Sequence, residues 1–462
     1  MNRRNFVWTG CAALTAQRVR AESEAAAIVL VAGKRWVTVA GRSVELLTYN
    51  GQLPGPQLEL RPGQDVTIRL INDLPEPTNL HFHGLHLPPS PGVDDALLQI
   101  PPGEQHEYRF TLPADHPAGT FWYHPHVHGM TANQVGGGLA GAIIVRAEFE
   151  ERLELTRVPE RVLILQDFDL LADGTLARPT QMDRMIGREG ALITVSGEVV
   201  PNLPVSASGV ARLRFINACS SRFFNLALGK QALVVIGVDG GLIAAPNAAR
   251  STLLAPGERI DTIVSGAALA EGPDLLWNLS YQRTFAMMGG MMGGQRQAAG
   301  NAVIAHIIPT AGEGAGWTMP TKLADVSPLP AAARLRTFVL GEGTGRMGMG
   351  MGSQQAMAFT INGRTFDMRR VDTDVRLGTV EDWEFVNNTS MDHPMHIHTN
   401  AFQVIGSNGS PLPAWKDTVL VKAGQRVRVR TRFDDFTGLA VYHCHILDHE
   451  DMGMMGTLRI TN

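Results

Sequence analysis

The stretch Thr67-Ile-Arg-Leu-Ile-Asn72 alternates polar and apolar side chains and stops at an asparagine, as a half-buried strand does when it runs into a turn. The pattern returns as Arg212-Leu-Arg-Phe-Ile-Asn217 and as Asp382-Trp-Glu-Phe-Val-Asn387. The asparagines stand 217 − 72 = 145 and 387 − 217 = 170 positions apart, intervals the size of a domain. A turn follows each of them: Pro102-Gly103-Glu104, Pro256-Gly257-Glu258 and Ala423-Gly424-Gln425, leading into alternating strands near 108–112, 261–264 and 427–430. Another precedes each: Asn50-Gly51, Ser196-Gly197 and Asn362-Gly363. Single turn residues recur by accident, but an ordered set of three signals is a repeat. It predicts an all-β chain of three tandem antiparallel β-sandwich domains, near 24–150, 155–310 and 333–462, with a Pro-, Gly- and Ala-rich linker at 310–333.

Composition agrees. A chain of 462 residues has room for about three domains. Its 49 Gly, 27 Pro and 18% charged residues suit short strands and turns better than long surface helices. Forty basic against 44 acidic residues leave 40 − 44 = −4, with no basic block, which argues against a nucleic-acid partner. Residues 1–21 have the form of a targeting segment. The pair Arg3-Arg4 precedes an apolar stretch, 6–16, too short to span a bilayer, so the expectation is twin-arginine export of a folded protein to the periplasm or beyond. Within it Val19-Arg20-Ala21 is a weak cleavage candidate, and Thr9-Gly10-Cys11 half resembles a lipidation site. No later segment is long and apolar enough to cross a membrane. Three cysteines cannot build a disulfide framework, and without the leader only Cys219 and Cys444 remain.

The 15 histidines carry the chemistry. Random placement gives roughly 462 × (15/462)², about 0.5, His-x-His pairs by template counting, yet the chain has five: 81/83, 124/126, 126/128, 396/398 and 443/445. In the first unit, His81-Phe82-His83 follows the Asn72 strand and His124-Pro125-His126 follows the strand after the Pro-Gly-Glu turn. In the third unit, His396-Ile397-His398 and His443-Cys444-His445 hold the equivalent places, and the middle unit has neither pair. Alternate residues of a strand face one side, so each pair offers two imidazoles together. Eight imidazoles exceed the needs of one ion and predict a metal cluster where the first and third domains meet. Cys444 faces away from its two neighbours. With His393, His449 and Met454 it forms a His₂Cys set with a weak thioether, the donors of a blue electron-transfer copper. Cys444 then links that copper covalently to the cluster. Zinc has no redox chemistry that needs such a path.

These residues resemble the multicopper oxidase family, and within it the compact three-domain bacterial laccases, across the whole mature chain. The resemblance rests on His81-Phe-His83-Gly, Trp122-Tyr-His124-Pro-His126, His393-Pro-Met-His396-Ile-His398 and His443-Cys-His445-Ile-Leu-Asp-His449-Glu-Asp-Met-Gly-Met454. It implies cupredoxin-like Greek-key sandwiches and four copper ions. His393, Cys444, His449 and Met454 would bind type 1. His81 and His396 would bind type 2, and His83, His124, His126, His398, His443 and His445 the type 3 pair. His86, His106, His116, His128 and His306 are left as structural or surface residues. The implied reaction is four one-electron oxidations of a reductant, with O₂ reduced to water. Because that consumes protons, Asp94 (with Asp95 beside it) and Glu450 match the family acids near the cluster.

Two methionine clusters bear on the reductant: Met287-Met288-Gly-Gly-Met291-Met292, and Met347-Gly-Met349-Gly-Met351 with Met357 nearby. Glycine between methionines disfavours helix and strand, and thioethers suit Cu(I). Such segments would equally line a pocket for phenols and aromatic amines. Met391 and Asp392 precede His393, but in relatives that oxidise cuprous ion the acid stands further back, at the place where this chain has Thr389. The expectation is a monomeric laccase-type oxidase of phenolic or aromatic amine reductants and Cu(I), with dedicated cuprous oxidation as the alternative. A copper-storage protein would not need a Cys-linked blue site, nor a nitrite reductase all four of the His-x-His pairs at matched repeat positions.

Overall fold

The structure, a computed structural model, describes residues 18–20, 27–283, 300–312, 314, 316–345 and 356–462. Its strands form six sheets that face each other in pairs over three separate cores. In the first pair, Arg42–Tyr49, Ile28–Val39, Asp65–Asp73 and Gln105–Thr111 make one sheet. Arg18–Arg20, Gly55–Leu60, Gly141–Val145, Gly119–His124 and His81–His83 make the other. The strand Asp65–Asp73 alternates as its sequence predicts, with Val66, Ile68 and Leu70 buried in the shared core and the residues between them turned outward.

The sheets are mixed rather than purely antiparallel. Ile28–Gly33, Glu160–Leu165 and Arg334–Leu340 each run parallel to the asparagine strand of their own unit. In the first unit the reason is connectivity: the chain passes through Gly55–Leu60 in the opposite sheet before returning beside Ile28–Val39, so it arrives in the same direction.

The repeated asparagines are brackets. Each is fully buried, and its amide donates to two backbone carbonyls: Asn72 to Glu76 and Ile100, Asn217 to Arg222 and Leu254, Asn387 to Met391 and Val421, all at 2.7–2.9 Å. Each side-chain oxygen takes the N–H two residues on, at Leu74, Cys219 and Thr389. The Asn backbone N–H also donates to Glu104, Glu258 or Gln425 of the downstream turn, which is why the two signals recur together. The upstream turns work alike: Asn50 and Asn362 accept from Val31 and Val339 through their side chains, and Ser196 from Ile164.

Buried contacts join the sandwiches. Trp122, Ile164, Ile216 and Leu447 share one apolar cluster drawn from all three. Between the first and second, Arg212 and Arg214 are enclosed with Glu150, Glu160 and Asp261, and Thr120 donates to Asp261 (2.5 Å). Cys219 is a buried thiol whose Sγ contacts the Leu165 carbonyl at 3.6 Å, and among the described residues neither it nor Cys444 is paired in a disulfide. Among the described residues no helix is long and apolar enough to cross a membrane. The leader at 1–17 and 21 and the methionine clusters at 287–292 and 347–351 lie outside the described residues.

Candidate metal centre

The strand registers bring the histidine pairs together. His81–His83 runs antiparallel to Gly119–His124 with His81 opposite His124, and His393–Ile397 runs antiparallel to Gly438–Cys444 with His396 opposite His443. The two sheet ends meet. His81 stacks on His398 and His83 on His396, with ring centroids 3.7 and 3.8 Å apart. Seven of the eight histidines of the four matched pairs fall into three sets of converging donors: His81, His83 and His124; His81, His396 and His398; His126, His398 and His443. His445 joins none of these sets, although its ring lies 4.9 Å from that of His83. All eight are buried.

Hydrogen bonds decide which nitrogen each ring turns inward. Nδ1 of His124, His396 and His443 meets the backbone carbonyl of Pro125, Asp417 and Cys444, at 2.8–3.0 Å. A carbonyl only accepts, so these rings carry their proton on Nδ1 and leave Nε2 as a bare lone pair. His81 gives Nδ1 to Asp94 (2.9 Å), and its Nε2 stands 3.4 Å from that of His396. The Nε2 atoms of His126 and His398 each stand 3.1 Å from that of His443. Burial lowers the pKa of His81, His83, His124, His396, His398 and His445, which keeps the rings neutral. Neutral lone pairs converging in a dry site repel one another unless a cation is shared, so the donor set fits metal.

On the other side of Cys444, its Sγ lies 3.4 Å from Nδ1 of His393 and 4.0 Å from Nδ1 of His449, and the two nitrogens are 3.3 Å apart. The far nitrogens are tied down: His393 Nε2 to Thr389 Oγ1 (2.8 Å), His449 Nε2 to the Met185 carbonyl (3.0 Å). Met454 is fully buried in the same core and its carbonyl takes the Cys444 N–H at 3.0 Å. Burial pushes the Cys444 thiol up, so it would stay protonated unless a cation held the thiolate. Two imidazoles and a thiol, with a methionine buried in the same core, fit copper.

Of the two adjacent aspartates, Asp94 reaches His81. It is buried, accepts the Phe82 N–H (3.1 Å), and burial raises its pKa to about 7 against the lowering effect of that bond. Asp95 instead accepts from Leu97 in its own turn. Glu450 Oε2 is 3.1 Å from His443 Nδ1, and Oε1 accepts from Thr131 (2.9 Å). Burial pushes this carboxyl up, but His126, His443 and Thr131 outweigh it and hold it below its ordinary value. His86 bridges the Thr399 carbonyl and Asp435, His116 accepts the His86 N–H, and His106 and His128 pack on Tyr108 and Phe366; none joins a donor set. Sequence reasoning missed Asp417, Arg259 and the orienting role of Thr389. Each is a single residue in an ordinary strand or turn, with no spacing to mark it.

Two sheet ends carrying clustered histidines, with a cysteine bridging to a second donor set, define a copper oxidoreductase, and sequence comparison bears this out. Residues 31–149 and 344–462 each match the multicopper oxidase family, and the chain belongs to it. Its sandwiches are cupredoxin-like, and members of the family couple a reductant to O₂. The chain is 30% identical over 430 residues to a multicopper oxidase of Staphylococcus haemolyticus, covering 90% of this chain and 84% of that one. Among solved structures it is similar to a multicopper oxidase from Campylobacter jejuni described as a metallo-oxidase, with a TM-score of 0.81, 30% identity and coverage of 96% and 95%. It is equally close in shape to a laccase-like multicopper oxidase of Ochrobactrum with activity towards lignin model compounds, with a TM-score of 0.81, 26% identity and coverage of 96% and 99%.

Proposed function

We propose that this chain is a laccase-type multicopper oxidase, exported as a monomer, that oxidises phenolic and aromatic amine reductants and Cu(I). In this reading residues 24–150, 155–310 and 333–462 are its three domains. His393, Cys444, His449 and Met454 hold type 1 copper. His81 and His396 hold type 2, and His83, His124, His126, His398, His443 and His445 hold the type 3 pair. Bound copper supplies one-electron transfer from the reductant and the four-electron reduction of O₂ to water. The observation that carries the reading is the placement of Cys444: its sulfur faces His393 and His449, while His443 beside it faces His126 and His398. One peptide segment therefore joins both donor groups.

The chain's own residues handle the protons. Asp94 holds His81 in the tautomer that frees Nε2, and stands where a proton can be delivered to the cluster. Glu450, 3.1 Å from His443 Nδ1, is the second acid placed to deliver a proton, and it accepts a hydrogen bond from the buried Thr131 hydroxyl.

A second reading, dedicated cuprous oxidation, is favoured by the two methionine clusters and by the likeness to a metallo-oxidase. Steady-state kinetics on Cu(I) and on a phenol, with and without residues 287–292 and 347–351, separates the two. Loss of Cu(I) turnover alone assigns these segments to cuprous substrate. Equal loss of both activities refutes a substrate role for them, and absence of phenol turnover in the intact protein refutes the laccase reading.

A further inference from the structure

The middle sandwich carries no histidine pair, yet one of its side chains reaches the cluster. Arg259 opens the strand Arg259–Ser265 directly after the Pro256-Gly257-Glu258 turn and is fully buried. All five of its N–H donors are used. Nε donates to the Thr120 carbonyl of the first sandwich (3.0 Å). Nη1 donates to the Gly257 carbonyl (3.1 Å) and Asp417 Oδ1 (2.7 Å), and Nη2 to the Asp239 carbonyl (2.9 Å) and Asp417 Oδ2 (2.6 Å). The packing leaves no spare room: a Cβ on Gly84, the residue after His83, would stand 2.3 Å from Arg259 Nη2.

Asp417, gripped by this fork, faces two histidines. Its Oδ1 is 3.0 Å from His83 Nε2, and its backbone carbonyl takes His396 Nδ1 at 2.8 Å. His83, His396 and Asp417 are close enough to form a metal site by themselves. Both carboxylate oxygens are already committed to Arg259, however, which makes Asp417 a partner of the histidines rather than of an ion. A neutral imidazole has one N–H. An ionised Asp417 only accepts, so His83 carries its proton on Nε2 and exposes Nδ1, which is buried without a hydrogen-bond partner. His83 therefore presents the opposite nitrogen from His124, His396 and His443. In those three a backbone carbonyl fixes the choice; in His83 a side chain does, and that side chain is buried at a cost that only a well-aligned opposite charge offsets.

We propose that Arg259 is a positioning residue for the copper cluster: through Asp417 it fixes the tautomer and ring orientation of His83 and the orientation of His396, so that loading of a site built by the first and third sandwiches depends on the middle one. This rests on the reading of His83 and His396 as copper ligands. Lysine keeps the charge but lacks the planar fork that grips both oxygens and two carbonyls. In Asp417→Asn an amide nitrogen must face either Arg259 or the His83 N–H, so one donor always opposes another.

The test uses the full-length copper-loaded protein, with Arg259→Lys and the isosteric Asp417→Asn, which keeps side-chain size should the first variant not fold. Copper retention is titrated against EDTA, with type 2 EPR and type 3 absorption reporting the cluster and the blue absorption of Cys444-bound copper reporting type 1. Both variants are expected to hold cluster copper about 10–100-fold more weakly, the usual effect of losing a partner behind a metal-bound histidine, with an altered type 2 signal and an unchanged blue band. The double variant should be no worse than the singles, because the two residues act as one chain. Cluster copper retained as in the unmodified protein, or a blue band lost in step with the cluster signals, overturns the proposal. If the unmodified protein binds type 1 copper and no cluster copper, the ligand reading beneath the proposal is what fails.

Discussion

Asn387 joins the repeat that builds the fold to the histidine that would bind type 1 copper, and Asn387→Ala should separate the two roles. Its amide donates to the carbonyls of Met391 (2.7 Å) and Val421 (2.9 Å), and its oxygen accepts from the Thr389 N–H (2.9 Å) and hydroxyl (2.8 Å). That hydroxyl in turn contacts His393 Nε2 at 2.8 Å, leaving Nδ1 to face Cys444. Three backbone hydrogen bonds at about 1 kcal/mol each give a loss of about 3 kcal/mol, with the stranded carbonyls adding to it. Asn217→Ala removes the same three bonds in the middle sandwich, where no histidine is attached, and should cost a similar amount. Urea unfolding of the copper-free proteins measures the cost, and blue absorption and EPR of the loaded proteins measure the site. Both variants should unfold at lower urea, but only Asn387→Ala should shift the type 1 spectrum. Thr389→Val should reproduce that shift with little effect on unfolding. An unaltered type 1 spectrum in Asn387→Ala and Thr389→Val would refute the orienting chain, and a cost below about 1 kcal/mol would refute the bracket.

Three other outcomes follow from single contacts. Asp94→Asn should leave the blue band intact, since the residues proposed for type 1 copper are elsewhere, and slow O₂ reduction by about 10²-fold or more, as loss of a positioned acid does. Stopped-flow reoxidation of the reduced enzyme checks this, and unchanged turnover removes Asp94 from proton delivery. Gly257→Ala should disturb His445, because the new Cβ would lie 2.8 Å from the ring at a backbone φ of +85°. Gly103→Ala, the matching turn residue of the first unit at φ +79° with nothing nearby, supplies the backbone strain without the clash. Only Gly257→Ala should lose type 3 absorption. Finally, burial pushes the Glu160 carboxyl up, but Arg214 and Arg146 outweigh it and hold it below the ordinary range. A depressed carboxyl contributes stability above its unfolded pKa that is lost as pH falls towards the folded one. The copper-free protein should therefore weaken from about pH 5 downward, and Glu160→Gln should flatten that slope in urea titrations.

What the sequence discloses and what it conceals divide along one physical line. Strand alternation, turn asparagines and His-x-His spacing are local patterns, imposed by a two-residue period and by turns closed within a few positions. They can be read without knowing what lies across the sheet. The three asparagines illustrate this, since each makes the same bonds to its own neighbourhood in a different sandwich. The orienting contacts are not local. His83 and Asp417 are 334 positions apart, and Arg259 and Asp417 are 158 apart. Each pair spans two sandwiches and exists only once they have docked, and in the sequence Arg259 and Asp417 are each an unremarked charge in a strand or turn. The choice between Asp94 and Asp95 belongs to the same class, since adjacent side chains in a turn diverge and only packing against His81 selects one. The converging donors of such a site are therefore legible from one chain's pattern, whereas the groups that set the protonation and direction of those donors emerge only with the tertiary fold. Variants that spare every ligand yet change the copper, such as Thr389→Val and Arg259→Lys, address that concealed part directly.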